Sequence, residues 1–238
     1  MTSGVSVLPV RLVLFDVDGT LLTCGQRTRP LLGRALTEVF GEVPGIERYD
    51  FAGKTDPRIV FDLAVAAGRS AEEVHAGLPR VRDRYFAILE DGLPAGAVAA
   101  LPGAAELLAR LAARGDLTLG LLTGNWRRGA EVKLERAGLG GRFAFGAFGD
   151  DGLDRDELPP VALARATEAT GRRFAASETL IVGDTLHDVA CARAHGLLCA
   201  AVGTGGVAAA TLTAAGAHWV AADLRALGEQ VPGLLGDG

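Results

Sequence analysis

The stretch VLFDVDGTLL, residues 13–22, places Asp16 and Asp18 on either side of a single valine at the end of an apolar run. In an extended backbone neighbouring side chains face opposite ways, so skipping one residue points both carboxylates toward one site. Two carboxylates in that relation suit metal-assisted phosphoryl transfer. Asp16 would attack phosphorus and form an aspartyl-phosphate, dividing one hard step into two easier ones. Asp18 would act first as general acid and then as general base toward water. A magnesium ion beside Asp16 favours its ionised form, and that nearby charge helps Asp18 to hold a proton. Gly19 lets the chain turn sharply after the strand. The reaction also requires donors for the phosphate oxygens, a cation to offset their charge, and carboxylates for the metal.

Such groups need a frame that brings them together. Several apolar runs, RLVLFDVDG, LTLGLLTGN, TLIVGDT, LLCAAVGTGG and HWVAADL, alternate with helical patterning. This alternation predicts an α/β fold with a doubly wound, Rossmann-like parallel sheet, apolar on both faces because helices cover both. Ligands of such sheets bind at the carboxyl ends of the strands, and Asp16, Thr123 and Asp184 each follow directly on an apolar run. The stretch after the first strand reads instead as helices. RPLLGRALTEVFG has helical spacing and a closing glycine, and DPRIVFDLAVAAG begins with an Asp cap followed by proline. SAEEVHAGLPRVRDRYFAILEDG has Ser70 and Glu73 at capping-box spacing, with Pro79 expected to kink or divide it. The expected division is a core domain of residues 1–22 and 97–238, with a helical cap domain, residues 23–96, above the carboxyl edge.

The motif DVDGTLL resembles the first motif of the haloacid dehalogenase-like hydrolase superfamily, whose members are mostly magnesium-dependent phosphatases. The resemblance implies that Thr123, in LTLGLLTGN, donates its hydroxyl to phosphate, with Gly124 and Asn125 beside it. In TLIVGDTLHDVACARAHG it implies that Asp184 binds magnesium directly and that Asp188 does so through water or by orienting the ligands. Asp16, Asp18, Asp184 and Asp188 are then the candidate metal residues. The family's third motif is a lysine before a Pro-rich helix start. In DRDELPPVALARA that place is taken by Arg155, which keeps the charge but not the geometry of a lysine. Lys133, in GAEVKLERAGL, is the substitute, although a surface lysine is its simpler reading. Asp18 argues against carbon–halogen hydrolysis, because dehalogenases of the superfamily replace the second aspartate. The look is that of phosphoglycolate phosphatase-like members, with a sugar-phosphate mutase as the alternative. From another class stands a receiver-like module phosphorylated on Asp16, which would need neither Asp18 nor a substrate lid.

In the insertion, FAGKTDPR resembles the Gly-Lys-Thr loop that family caps extend over substrate, which makes Lys54, Thr55 and, less directly, Arg58 recognition candidates. It is not a phosphate-binding P-loop, since Arg48 occupies the place of the first glycine. GTGGVA from Gly203, with Asp223 beyond it, fits a loose dinucleotide fingerprint, but too little chain follows to build that domain. The chain of 238 residues carries a net charge of −5 without charge blocks, which offers no footprint for nucleic acid or membrane. A small phosphorylated substrate is the expected partner, for a monomer or homodimer. The start, MTSGVSVLPVR, does not read as a signal peptide. Cys24, Cys191 and Cys199 show no metal or disulfide spacing and read as reduced packing residues of a cytoplasmic protein.

Overall fold

The computed structural model describes residues 10–235. Residues 1–9, most of the N-terminal stretch that does not resemble an export signal, and residues 236–238 lie outside the described residues. In chain order the elements are β1 (Leu12–Phe15), β2 (Leu22–Thr23), α1 (Thr28–Phe40), α2 (Asp56–Ala66), α3 (Ala71–Gly92), β3 (Ala99–Ala100), α4 (Ala104–Ala112), β4 (Thr118–Leu122), α5 (Arg127–Arg136), β5 (Gly146–Ala147), α6 (Leu158–Thr170), β6 (Thr179–Gly183), α7 (Leu186–Ala194), β7 (Leu198–Val202), α8 (Ala209–Ala215), β8 (Trp219–Ala221) and α9 (Leu224–Leu235).

Among the described residues, six parallel strands form one sheet in the order β5-β4-β1-β6-β7-β8. The expected doubly wound α/β architecture is therefore present. Strand β1 lies between β4 and β6, with Phe15 opposite both Leu121 and Val182, so three carboxyl ends finish side by side. Period-two alternation divides the core. Val13 and Phe15 pack with leucines of α4, α5 and α9 on one face, while Leu12 and Leu14 pack with α6 and α7 on the other. All four are essentially inaccessible to solvent. Burial of this kind stabilises by about 25 cal/mol per Å² of apolar surface, and it fixes the strand ends against which the polar site is built.

The helices α1, α2 and α3 form an insertion between β2 and β3, which pair antiparallel, Leu22 with Ala100 and Thr23 with Ala99. That short ribbon is where the chain leaves the sheet and returns. Ser70 and Glu73 make the expected capping box at α3. Two local expectations are corrected. Thr55, rather than Asp56, is the N-cap of α2, accepting a hydrogen bond from the Arg58 N–H, and Asp56 is the first helical residue. Pro79 does not divide α3, which runs unbroken through it. Both Pro79 and His75, whose carbonyl loses its donor four residues on, lie on the exposed face, where water can satisfy that carbonyl. The apolar stretch 197–222 is broken into β7, a loop, α8 and β8, and among the described residues no helix is long and apolar enough to cross a membrane.

Candidate active site

The carboxyl ends of β1, β4 and β6 deliver Asp16, Thr123 and Asp184 to a cavity of about 350 Å³, which these residues line together with Asp18, Asn125, Lys133 and Arg155. Asp16, Asp184 and Asp188 each present a carboxylate oxygen, and the three lie within 4.8 Å of one another. Glycines make this crowding possible. A Cβ on Gly19 or Gly205 would stand 2.4 Å or 1.8 Å from Asp184 Oδ2, and one on Gly183 would stand 2.1 Å from Asp188 Cγ. The GTGGVA loop thus forms a wall against Asp184, and Thr204 ties it to the carbonyl of Gly19. Asp223 caps α9 through the Ala226 N–H. Both features thus have structural partners within the described fold.

Electrostatics mark the trio as short of positive charge. Burial pushes Asp16 up to about 6, with Arg155 pulling it down and Asp188 adding to the rise. Burial, then the charges of Asp16 and Asp188, push Asp184 up to about 8. Arg155 answers part of this. Its guanidinium lies 3.3 Å from Asp16 Oδ1 and also pairs with Asp188 Oδ1. It further donates to the Leu122 carbonyl at 3.3 Å and to the Gly53 carbonyl at 3.4 Å. Three buried carboxylates around one guanidinium leave a net negative pocket of hard oxygen donors, which fits a magnesium ion. Asp16, Asp184 and Asp188 would hold it. Asp188 also caps α7 in a reciprocal box with Thr185, which fixes its second oxygen.

Asp18, expected among the metal residues, stands outside that trio. Its Oδ2 accepts from Asn125 Nδ2 at 2.8 Å and from Lys133 Nζ at 2.6 Å. Asn125 also donates from Nδ2 to the Thr123 hydroxyl at 2.9 Å. The reading of Lys133 as a surface lysine is overturned, because the residue is 4 % exposed and faces the site. Burial opposes its charge, but Asp18 and other acidic neighbours outweigh that and hold the ammonium above the usual lysine range. Its flanks, Val132 and Leu134, and the charged residues around it carried no signal separating it from a solvated helix face. Thr20, which donates to Asp184 Oδ1 at 2.7 Å, was also missed. Its place in DVDGT was the available clue.

The insertion meets the core through its Gly53–Asp56 loop. The Asp56 N–H donates to the Gly124 carbonyl at 2.7 Å, and Asp56 Oδ2 accepts from the Trp126 N–H at 2.8 Å. Gly124 must be glycine here, since a Cβ would lie 2.2 Å from the Lys54 carbonyl oxygen. Lys54 lines the cavity, with Nζ 2.6 Å from the Tyr49 hydroxyl and 3.6 Å from Asp62. Thr55 and Arg58, expected at the substrate, hold the insertion to the core instead. Thr55 donates to the Leu153 carbonyl and caps α2, which occupies its hydroxyl, and Arg58 pairs with Asp154 at 2.6 Å. The three cysteines are buried and free, and Cys24 lines the cavity.

The model of the haloacid dehalogenase-like hydrolase family matches residues 13–193. The chain belongs to that family. A phosphoglycolate phosphatase of Synechococcus elongatus is 33 % identical to this hydrolase over 87 % of the chain and 91 % of its own length. Phosphoglycolate phosphatase 1 of Pseudomonas aeruginosa is 29 % identical over 81 % of the chain and 69 % of its own. Among solved structures, a predicted phosphatase from Clostridium acetobutylicum superposes with a TM-score of 0.71 at 20 % identity, covering 95 % of this hydrolase and 100 % of that chain. That likeness speaks for the fold. Within it, this hydrolase carries an arginine on its nucleophile candidate and a lysine on its acid candidate, both buried.

Proposed function

We propose that this hydrolase is a magnesium-dependent phosphatase that cleaves a small phosphorylated metabolite of the phosphoglycolate type through an aspartyl-phosphate on Asp16. One observation carries the reading: the carboxylates fall into two groups. Asp16 sits in the buried acidic trio, while Asp18 is held outside it against Lys133 and Asn125. That separation suits one group for attack and the other for proton transfer. Residues 23–96 serve as the cap over the cavity, on a core of residues 1–22 and 97–238.

Magnesium held by Asp16, Asp184 and Asp188 would offset the charge of the phosphate. An Asp16 oxygen bonds to phosphorus as the ester P–O bond breaks, and Asp18 gives its proton to the departing oxygen, which leaves as an alcohol. Asp18 then takes a proton from water as the water oxygen bonds to phosphorus and the bond to Asp16 breaks, releasing inorganic phosphate. Thr123 and Gly124 face the phosphate, while Asn125, expected at the substrate, has its amide taken up by Asp18 and Thr123 and holds Asp18 instead; Arg155 orients Asp16, and Lys54 reaches in from the cap. The similarity to two phosphoglycolate phosphatases supports the substrate type. The test is phosphate release from a panel of phosphorylated metabolites that includes 2-phosphoglycolate, with magnesium and with chelator. Turnover of 2-phosphoglycolate that requires magnesium is expected, and inactivity toward the whole panel would overturn the reading.

A further inference from the structure

We infer that Lys133 is a positioning residue for the leaving-group acid, locking one oxygen of Asp18 so that the transferable proton is carried by the other. The inference rests on the phosphatase reading of the site. Asp18 Oδ2 receives two donors, the Lys133 ammonium at 2.6 Å and the Asn125 amide at 2.8 Å. An oxygen with two N–H groups aimed at it, one of them charged, has no room for a proton of its own. The proton therefore rides on Oδ1, the oxygen free of these two donors. Asn125 is itself oriented on both sides, donating to Thr123 Oγ1 at 2.9 Å and accepting from Lys133 Nζ at 2.5 Å. Lys133 thus acts on Asp18 directly and again through the amide.

Its surroundings assign it this role rather than that of a phosphate ligand. The Lys133 side chain is 5 % exposed, whereas that of Asp18 is 40 % exposed. Cys24, Asp56 and Tyr85 are its other neighbours, the last two from α2 and α3 of the insertion. Asp56 is in turn fixed by the Trp126 N–H, one residue before the helix that carries Lys133. The ammonium thus sits among residues of both core and insertion, and it bonds the acid directly. In the first half-reaction Oδ1 loses its proton to the ester oxygen as that oxygen leaves phosphorus. In the second it receives a proton from the attacking water. Oδ2 keeps its two donors throughout.

The test separates proton delivery from simple damage by comparing leaving groups. Lys133→Met and Lys133→Gln are assayed on 2-phosphoglycolate, glycerol 2-phosphate and p-nitrophenyl phosphate, with kcat/KM read because it reports the step in which the leaving group departs. The two alkyl esters need a proton on the leaving oxygen, and the nitrophenolate does not. For Lys133→Met a loss on the order of 100-fold is expected on both alkyl esters, with less than about tenfold on the aryl ester. Lys133→Gln, which retains an N–H, should recover part of the alkyl activity. Asn125→Ala, which removes the other donor to Oδ2, should show the same split and serves if the lysine variants do not fold. Equal losses on all three substrates would overturn the inference, as would a loss confined to 2-phosphoglycolate, which would make Lys133 a reader of the substrate carboxylate. Wild-type inactivity on all three would overturn the phosphatase reading itself, before any variant is compared.

Discussion

Two buried cations hold three of the four carboxylates of this site, Arg155 taking Asp16 and Asp188 and Lys133 taking Asp18, and each should fail in its own way when removed. Arg155 bridges Asp16 and Asp188, so Arg155→Ala leaves two buried carboxylates facing each other. Losing one partner of such a pair costs about 3–5 kcal/mol, and urea unfolding without magnesium should show a loss of that order. Arg155→Lys should recover most of it, since the charge remains; a lysine variant as unstable as the alanine one would show that the guanidinium geometry, not its charge, is what the carboxylates need. Asp16→Asn should abolish turnover, and phosphate release near the wild-type rate would remove Asp16 as nucleophile. At this scale the sequence was informative where a chemical group ends a strand. Asp16, Thr123 and Asp184 each follow an apolar run, and a strand end has one place to point. Lys133 was opaque because it lies inside a charged helix, where only the tertiary surroundings, with Tyr85 and Cys24 nearby, turn a solvated position into a buried one.

Among the elements, the central strands and the three insertion helices were readable because their apolar periods run long enough to be distinguished. β2, β3 and β5 have two residues each, too few for alternation to declare itself. Much of the contact between insertion and core was hidden for another reason: beside side-chain bonds such as Arg58 to Asp154, it rests on backbone and on glycines whose importance is the absence of a side chain. Gly53 has a φ of +67°, and a Cβ there would lie 2.5 Å from His187 Cβ and 2.6 Å from Thr185 Oγ1. Gly53→Ala should therefore hold the loop off α7 while leaving the sheet untouched. A displacement near 1 Å can cost on the order of 100-fold in rate, so kcat/KM should fall steeply with little change in the unfolding of the core. Unaltered kinetics would show that this loop is not seated during catalysis. Thr55→Ala removes both the α2 cap and the bond to the Leu153 carbonyl, and should cost about 1 kcal/mol in urea unfolding.

For the whole molecule, the acidic trio sets how stability responds to pH and metal. An aspartate in an unfolded chain titrates near 3.8, whereas in the fold Asp16 and Asp56 are raised to about 6 and Asp184 to about 8. Between these values the folded state binds more protons than the unfolded one, so stability contributed by these groups is fully present below pH 3.8 and is lost as pH rises toward 8. The exposed carboxylates Glu38 and Asp116, both lowered to about 2 by arginine partners, work in the opposite sense but only below pH 4.5, so they leave the interval above pH 5 to the trio and Asp56. In chelator, the thermal midpoint should therefore decline from about pH 5 to about pH 8. If the trio holds magnesium as proposed, the ion would bind its ionised form and not the unfolded chain, so its stabilising effect should grow across the same interval as protons leave. Asp184→Asn removes one of the repelling charges. It should flatten the decline in chelator and abolish most of the magnesium response, because the lost repulsion and the lost ligand are the same carboxylate. A midpoint that is level in chelator, with a magnesium shift independent of pH, would mean that the trio is not where the metal and the protons compete.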